Sequence, residues 1–454
     1  MAKRETFGSR FAVIMAMAGS AIGLGNIWRF PYTVGEGGGA AFIIVYLISS
    51  LFLAMPIFMA ESIIGRTAHA GTFGSMEKLA PGTKWKYVGL LTVIAPLILV
   101  SYYSVVGGWS FEYLLKALSF SFNADSMDQI DSMFGSFISG TWGPLLCHTL
   151  FITATCLIVL AGVKNGIEKF AKLTMPLLFI LIVLIMIYAV SLPGAAQGVE
   201  YMLKPDFSKL TGRAVASAMG QSFFSLSLGV GVILIYSSYI SKEENLLFSG
   251  LGTAGFDLMF AMIAGFAVMP AVFAAGIEPG AGPGLIFQTM PYIFVKMGMD
   301  APWLSAIVSI LFFLTIFVAA LTSSISMVEA GVAYLTEEKG LSRKKAVFVI
   351  LALTWTLGVF CSLSFGPLAD AKIFGSTIFE ACDKLISNYL MAIGGFLFTI
   401  FVGWKMSKET VRNEFTNNGK FKFNDKVFGA VYFIIRFVAP IGIVAIFLTN
   451  LLFQ

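Results

Sequence analysis

The chain has 454 residues, of which 57% are hydrophobic and only 12% are charged, and its mean hydropathy is +0.86. These values exclude an ordinary soluble globular protein, in which about a quarter of the residues are charged, and they indicate a polytopic membrane protein. The net charge of +5 would suggest a nucleic-acid partner in a soluble chain, but here the positions of the charges are informative about membrane topology instead.

Apolar runs of about 20 residues, enough to cross a bilayer, recur along the whole chain. If the N-terminus is cytoplasmic, 21 of the 30 lysine and arginine residues lie in cytoplasmic segments and five lie in outer loops. Because cytoplasmic loops carry the excess of positive charge, we predict a multi-pass protein of the inner (plasma) membrane with its N-terminus inside and its C-terminus outside. We predict eleven spans, near residues 11–35, 40–64, 87–118, 143–161, 166–192, 213–239, 248–274, 303–335, 346–362, 378–403 and 427–451.

The first predicted span contains the stretch Gly19–Tyr32, which is unusual for a membrane helix. Its glycines Gly19, Gly23 and Gly25 each weaken a helix by up to about 1 kcal/mol relative to alanine. Arg29 then places a charge among apolar residues, which is costly unless it faces a partner or a watery cavity. We therefore predict a helix that is broken so that its freed backbone carbonyls and amides face a ligand.

The sixth predicted span carries a second such stretch, Gln221–Gly231, in which Gly229 and Gly231 correspond to Gly23 and Gly25 of the first. One glycine-interrupted span at the start of each five-span half is typical of an inverted-repeat transporter with its site at the membrane midplane. The alternative is that the glycines only allow close helix packing. The interpretation favoured here divides the chain into a first repeat (1–192), a second repeat (193–404) and a cytoplasmic loop with the eleventh span (405–454).

The longest outer connection runs from about residue 276 to residue 302 and contains the apolar piece 285–295. Long loops of this kind usually have a function, and we predict a partly helical lid over an outer vestibule. The four cysteines show no Cys-x-x-Cys spacing, and the only histidines are His69 and His148. Neither a metal cluster nor a disulfide framework is therefore expected.

The segment Gly-Ser-Ala-Ile-Gly-Leu-Gly-Asn-Ile-Trp-Arg-Phe-Pro-Tyr at Gly19–Tyr32 resembles the first-helix signature of the neurotransmitter:sodium symporters. Further matching segments occur along the chain, and the resemblance extends over essentially its whole length. They are Glu36–Phe42, Glu61 with Gly65 and Arg66, Ser101–Tyr103, Phe223–Gly229 and Leu321–Ser324. The eleven predicted spans resemble the bacterial amino-acid branch of this family. The resemblance implies an all-α fold of five plus five helices in which the first and sixth are discontinuous, a feature for which this family is a known example.

The resemblance implies two sodium sites built from oxygen ligands. The first set of ligands comprises the carbonyls of Gly19, Ile22 and Ala319 with the hydroxyls of Thr322 and Ser323. The alternative for Thr322 and Ser323 is that their hydroxyls only bond back to their own helix. The second set comprises the Ala21 carbonyl, Asn26, Ser225, Asp257 and the carboxylate of the substrate.

Asp257 departs from the family pattern, because the matching position in most relatives is an asparagine. Tyr46, Gln221 and Ser225 match residues that hold chloride in animal relatives. We expect Asp257 to supply the negative charge that chloride supplies in those proteins, so that transport needs no chloride. The alternative is a buried carboxylate that only bonds to a neighbouring helix.

The nature of the substrate is inferred from Gly23, since amine transporters of this family carry an acid there. A glycine leaves room for a substrate carboxylate, which half-helix amides can face, so the resemblance implies an amino acid. Val230 replaces a common aromatic and Met327 is deformable, which favours a large apolar or aromatic side chain. The substrate-binding residues implied are Ala21, Gly23, Gly25, Leu99, Tyr103, Phe224, Ser225, Ser227, Val230, Ser323 and Met327.

The resemblance also implies gates on both sides of the site. Arg29 is expected to pair with Asp383, directly or through water, at the outer gate, and Arg4 with Glu337 at the inner face. Each of these could instead be a surface charge of little consequence. Glu61 is expected to accept hydrogen bonds from the backbone amides of the broken helices. In this family a Gly and Pro pair such as Gly166 and Pro176 is associated with unwinding of the fifth span, although a static kink is an equal alternative.

Taken together, the sequence indicates a sodium-coupled symporter that imports a neutral, large hydrophobic or aromatic L-amino acid by alternating access, with two sodium ions. It carries no phosphate-binding loop, metal cluster or nucleophile–base pair that would indicate an enzyme, and no nucleic-acid partner is expected. The alternatives are a membrane amino-acid sensor and a ligand-gated ion channel. Oligomeric state and the identity of the amino acid stay open at this point.

Overall fold

A computed structural model of the chain describes residues 5–122, 126–277, 285–298 and 302–452. Within these ranges the elements are helical, and the only β-type pairing in them is an isolated bridge between Ile373 and Ser376. The all-helical prediction is therefore confirmed.

The helices are numbered here in chain order. The first half contains α1 Arg10–Ala21, α2 Gly25–Gly37, α3 Ala40–Ala68, α4 Thr72–Leu79, α5 Trp85–Leu118, α6 Met127–Ser139, α7 Trp142–Leu160, α8 Val163–Val190 and α9 Ala195–Leu203. The second half contains α10 Gly212–Ser225, α11 Val232–Ser238, α12 Leu246–Ala274, α13 Thr289–Gly298, α14 Pro302–Glu337, α15 Arg343–Leu363, α16 Ile378–Lys405, α17 Lys408–Thr416 and α18 Lys422–Thr449.

Among the described residues, nine helices are long and apolar enough to cross a membrane, and α1 with α2 forms a tenth, bent span. This is one fewer than the eleven spans predicted. The difference lies in the sixth predicted span, where α10 has 14 residues and α11 only seven. Neither piece alone reaches the roughly 20 residues that a bilayer requires, because the chain leaves the helix between them.

Both predicted breaks are present in the structure. The axis turns by 55° between α1 and α2, where Ile22 has an extended backbone. Between α10 and α11, Gly229 and Gly231 adopt φ values of +81° and +73°, a left-handed conformation that costs most other residues about 1–2 kcal/mol. The glycines are therefore required by the backbone path at this point.

The broken pairs lie in the middle of the molecule. Every residue of α11 is buried, and so are the residues of α1 from Met15 to Ala21. The two longest helices, α5 and α14, pack against each other along their length beside the breaks. Because lipid-exposed irregular backbone does not occur in the hydrocarbon region, enclosure by these helices is what permits the breaks to exist.

The connection predicted to be on the outer side is partly helical, as expected, since α13 covers Thr289–Gly298. Just before it, the Phe287 ring contacts Trp28, Trp109, Tyr113 and Phe134, with ring centroids 5.3–6.4 Å apart. Residues 278–284 and 299–301 lie outside the described part of the chain. The described portion fastens this connection onto the first and third spans through aromatic packing.

At the C-terminal end of α3, Arg66 is completely buried and is bound by three oxygen acceptors. Its guanidinium pairs with the Glu414 carboxylate of α17 and also donates to the backbone carbonyls of Glu244 (2.6 Å) and Glu414 (2.5 Å). Lys242 reaches the other carboxylate oxygen of Glu414 at 2.5 Å. This arrangement attaches the short helix α17 to the end of the second span.

Replacing Glu414 should therefore destabilise the protein strongly. Glu414→Ala leaves Arg66 buried without its counter-ion, which costs about 3–5 kcal/mol, and we expect a lower thermal-unfolding midpoint in detergent. The matched control is Asp425→Ala, which removes an exposed ion pair between Asp425 and Arg412 of α17 and should change the midpoint little. Equal midpoints for both variants would contradict the assigned role of Arg66.

Candidate functional site

The two helix breaks face each other and exchange hydrogen bonds. The Gln221 amide donates to the Gly25 carbonyl at 2.9 Å, and the Ser227 hydroxyl donates to the Ser20 carbonyl at 3.2 Å. Groups on other helices satisfy further backbone atoms at the breaks, because a buried backbone group without a partner is costly. The breaks are thus one shared structure contributed by both halves of the chain.

Two of these hydrogen-bond partners, Glu61 and Tyr103, are residues already identified from the sequence. The Glu61 carboxylate accepts the Gly229 amide at 2.7 Å, which is the contact expected of an acid in the middle of a span. The Tyr103 hydroxyl accepts the Leu24 amide at 3.1 Å. Glu61 and Tyr103 therefore hold opposite breaks, and both are buried.

Hydroxyl and carbonyl oxygens of α1 and α14 converge in what we call the carbonyl–hydroxyl cluster. The Thr322 hydroxyl lies 2.8 Å from the Ala319 carbonyl and 3.3 Å from the Ile22 carbonyl, and the Ser323 hydroxyl lies 3.2 Å from the Ile22 carbonyl. Gly19 is adjacent, since a Cβ atom placed on it would lie 3.6 Å from the Thr322 Cβ. Neutral oxygens gathered in this way suit a hard cation such as sodium.

A second group, here called the amide–carboxylate cluster, joins the α1–α2 break to α10 and α12. The Asn26 amide donates to an Asp257 carboxylate oxygen at 2.7 Å and to the Ser225 hydroxyl at 3.2 Å, and Ser225 donates to the other Asp257 oxygen at 2.7 Å. The Tyr46 hydroxyl donates to the Ser225 hydroxyl at 3.2 Å. Gln221 also belongs to this cluster, since it donates to the carbonyl of Gly25, the residue before Asn26. All five side chains are buried, so Asp257 brings a carboxyl group into an otherwise uncharged set.

Between the two clusters lies a small central cavity of about 20 Å³. Ten of the eleven predicted substrate-binding residues line it, and the exception is Ser225, which belongs to the amide–carboxylate cluster. The lining residues are Ala21, Gly23, Gly25, Leu99, Tyr103, Phe224, Ser227, Val230, Ser323, Met327 and Met391. The volume is about that needed by one water molecule, so side chains must move before the cavity can hold an amino acid.

The two glycines that line this cavity keep it open. A Cβ atom on Gly23 would collide with the Ser323 hydroxyl and lie 2.7 Å from the Tyr103 hydroxyl oxygen. A Cβ atom on Gly25 would lie 3.1 Å from the Phe224 ring. Any larger residue at Gly23 would therefore fill the space between the breaks.

Met391 lines the cavity but was not among the predicted residues. It lies on α16 immediately after a π-helical turn, Leu385–Leu390, and its carbonyl packs directly against Gly229. It also borders a separate cavity of about 230 Å³ between α10, α16 and α18. A methionine within an apolar span gives no local signal, so only the packing of Gly229 identifies it.

On the proposed outer side, Arg29 and Asp383 line the same cavity, which has a volume of about 480 Å³. The Arg29 guanidinium lies 4.4 Å from the centre of the Phe224 ring, and the Asp383 carboxylate accepts the Ser387 hydroxyl at 3.0 Å. The structure shows no direct ion pair between Arg29 and Asp383 within 4 Å. Phe224 separates this outer cavity from the central one, since it lines both.

The predicted inner pair cannot be described, because Arg4 lies outside the described residues. Its expected partner Glu337 accepts a hydrogen bond from the Gly71 amide at 2.7 Å. The Phe7 and Tyr239 rings pack edge to face, with their centroids 6.1 Å apart. At the start of the fifth span, Gly166 packs against the Ile158 carbonyl so closely that a Cβ atom would collide with it.

An ion pair that the sequence did not suggest lies on the same, proposed inner side. Glu329 of α14 is fully buried and accepts both Arg343, at 2.6 Å, and the Tyr239 hydroxyl, at 2.7 Å. Arg343 also donates to the Val159 carbonyl at 2.7 Å. These contacts tie α11 and α14 to the ends of α7 and α15. The sequence does not suggest this ion pair, because Arg343 follows Glu329 by 14 positions and lies on the next helix.

Comparisons with known proteins identify similar chains. The model of the "Sodium:neurotransmitter symporter family" matches residues 4–130 and 121–453. The sodium-dependent transporter YhdH of Bacillus subtilis is 35% identical over 447 residues, covering 98% of this chain and 97% of its own. The sodium-dependent serotonin transporter of Drosophila melanogaster is 26% identical over 402 residues, covering 78% of this chain and 63% of its own.

A solved structure is also similar over nearly the whole length. The crystal structure of MhsT in complex with L-phenylalanine superposes with a TM-score of 0.89 and is 40% identical. The match covers 98% of this chain and 100% of MhsT. The overall helical architecture described above is therefore shared with that protein.

The close approach at Gly229 gives a direct test of the break. Gly229→Ala places a Cβ atom against the Met391 carbonyl at a left-handed φ of +81°, and we expect a loss of about 2–4 kcal/mol of unfolding free energy. Thermal unfolding in detergent measures the loss as a lower midpoint.

The matched control is Gly220→Ala in the adjacent helix α10. A Cβ atom there meets nothing within 4 Å, and alanine is favoured over glycine inside a helix by about 1 kcal/mol. This variant should unfold at the same or a higher temperature. A Gly229→Ala protein as stable as Gly220→Ala would refute the assigned backbone constraint.

Proposed function

The chain belongs to the sodium:neurotransmitter symporter family, and we propose that it imports a neutral L-amino acid with a large hydrophobic or aromatic side chain, driven by sodium. Its relatives and its fold indicate a transporter rather than an enzyme. The observation that carries the proposal is the central cavity, which lies between two oxygen-rich clusters at the meeting point of two broken helices.

The substrate carboxylate in this proposal lies beside Gly23 and the start of α2. The N-terminal amides of a helix favour negative charge, and the Tyr103 hydroxyl, already at 3.1 Å from the Leu24 amide, is available to donate to a carboxylate. The Asn26 and Ser225 oxygens adjoin the same place. One sodium ion would bind there with the Ala21 carbonyl, Asn26, Ser225, Asp257 and the substrate carboxylate as its ligands.

The second sodium ion in the proposal binds at the carbonyl–hydroxyl cluster. Its ligands would be the carbonyls of Gly19, Ile22 and Ala319 and the hydroxyls of Thr322 and Ser323. This cluster connects α1, which is one side of a break, to the continuous helix α14. Binding of an ion there would draw a movable half-helix onto a fixed partner, and Gly166 and Pro176 of α8 would loosen to let water reach it from the cytoplasm.

The apolar lining of the side-chain pocket supports a large apolar substrate. Leu99, Val230, Met327 and Met391 supply most of its apolar lining, and the methionines are unbranched and adaptable. MhsT, whose structure contains L-phenylalanine, has the same architecture, which supports extending this substrate class to the present chain.

Alternating access follows from the gates on either side of this pocket. Phe224 closes the outer path, and Arg29 and Asp383 approach each other across the outer cavity when it contracts around a substrate. Arg4 and Glu337 close the inner face. In the proposed topology the chain crosses the inner membrane with its N-terminus in the cytoplasm and its C-terminus outside, as the distribution of lysine and arginine indicates.

The function is tested by uptake into proteoliposomes. An inward sodium gradient should cause labelled L-phenylalanine, L-leucine or L-tryptophan to accumulate above its outside concentration, and uptake should stop when choline replaces sodium. Binding without accumulation would indicate a sensor, and a sodium current without accumulation would indicate a channel; either result would overturn the proposal.

Within this assay, Thr322→Ala should raise the sodium concentration for half-maximal uptake by at least about tenfold, because losing one hydroxyl contact to a cation costs roughly 1.5–3 kcal/mol. The matched control is Ser324→Ala, two residues away. Its hydroxyl contacts Thr155 and the Leu321 carbonyl rather than the cluster, so the sodium dependence should stay unchanged. A shift in both variants, or in neither, would rule out the assigned sodium site.

Asp257 leads to a prediction about chloride. Uptake by the unaltered protein should be the same when gluconate replaces chloride, since the carboxylate supplies the negative charge. Asp257→Asn keeps an oxygen ligand but removes that charge, and its uptake should be at least about tenfold slower in gluconate than in chloride, which corresponds to about 1.4 kcal/mol. Loss of uptake by the unaltered protein in gluconate would show that Asp257 does not replace chloride.

A further inference from the structure

Two cysteines meet where the ninth and tenth predicted spans approach each other. The Cys361 thiol of α15 donates to the Cys382 sulfur of α16, with the two Sγ atoms 3.9 Å apart. Both are free thiols, as are Cys147 and Cys156, which lie on α7. The spacing of 21 residues gave no reason from sequence to pair them, and only the folded structure brings them together.

Neighbouring contacts hold this junction in place independently of the sulfur atoms. The Phe379 amide at the start of α16 donates to the Ser364 hydroxyl after α15, at 3.3 Å. The Phe365 and Phe379 rings lie 5.0 Å apart, and Trp109 contacts both. The two thiols therefore stay close without a covalent bond, and a disulfide of about 2.0 Å requires the sulfur atoms to approach by about 2 Å.

The two cysteines differ in how easily a reagent reaches them. Cys361 is completely buried, whereas Cys382 is partly exposed. Cys382 also lies beside Glu380 and Asp383, which line the outer cavity of about 480 Å³, so this turn of α16 borders a space that water can enter. A soluble reagent on the outer side would meet Cys382 first, with Cys361 directly behind it.

We propose that Cys361 and Cys382 form an oxidisable dithiol at the outer face, which a disulfide oxidant converts to an intramolecular disulfide. The Cys382 thiolate attacks one sulfur of the oxidant and releases one thiol, leaving a mixed disulfide on Cys382. Cys361, after losing its proton to water, attacks the Cys382 sulfur and releases the second thiol. The protein loses two electrons and two protons, and the oxidant is reduced to two thiols.

The position of this pair links it to transport. Asp383, the next residue after Cys382, lines the outer cavity together with Arg29. A disulfide would fasten the N-terminal part of α16 to α15 and so restrict the approach of Asp383 towards Arg29. This consequence depends on the proposed transport function, and we infer that oxidation slows uptake while reduction restores it.

The test uses the full-length protein in proteoliposomes, treated from outside with 4,4′-dithiodipyridine. The unaltered protein should release two thiopyridones per chain, lose the mass of two hydrogen atoms, and take up the amino acid several-fold more slowly until a reductant is added. Cys361→Ser should release one thiopyridone and keep the reagent as a mixed disulfide on Cys382. Cys382→Ser should not react, and Cys156→Ala should behave like the unaltered protein.

The outcomes distinguish the dithiol from its effect and from the transport proposal itself. If both thiols of the unaltered protein survive treatment, as judged by alkylation after denaturation, the redox site is refuted. If the disulfide forms and uptake is unchanged, its link to Asp383 is refuted. If the untreated protein does not accumulate any amino acid, the proposed function fails, whereas the mass and thiopyridone measurements still decide the redox site.

Discussion

The structure depends on satisfying the backbone groups that two helix breaks release inside a membrane. Within the hydrocarbon region each such group needs a partner from the protein. Here the partners come from fixed positions on other helices: Glu61 holds Gly229, Tyr103 holds Leu24, and Gln221 holds Gly25. Because these same breaks line the central cavity, the groups that keep the fold intact are next to those proposed to bind the ions and the substrate.

In the proposed function, coupling between sodium and substrate would follow from this proximity. In the proposed arrangement one ion shares its coordination shell with the substrate carboxylate, so each raises the affinity for the other by the same factor. Asp257 adds a carboxyl group to that region, bonded to Asn26 and Ser225, and in the proposal it replaces an external anion. The small size of the cavity, about 20 Å³, means that binding and conformational change cannot be separate events.

The sequence predicted the helical class, the two breaks and ten of the eleven residues that line the cavity, because glycines, Asn26 and Arg29 are conspicuous in apolar spans and match a family signature. Family membership is confirmed by the comparisons. The sequence did not predict the contacts that depend on long-range packing. Met391 is an ordinary residue until Gly229 packs on its carbonyl, and the Glu329–Arg343 and Cys361–Cys382 contacts join helices whose local patterns are unrelated. The division of the sixth span into two short helices is the second predicted break, and the left-handed conformations of Gly229 and Gly231 account for it.

The central claim, that a sodium ion and the substrate carboxylate share one coordination shell, is tested most directly by equilibrium binding of two matched ligands. These are the amino acid that the protein transports best and the amine formed by removing its carboxylate. Raising the sodium concentration at constant ionic strength should tighten binding of the amino acid much more than binding of the amine, which lacks the shared ligand. An equal strengthening of both would contradict the account.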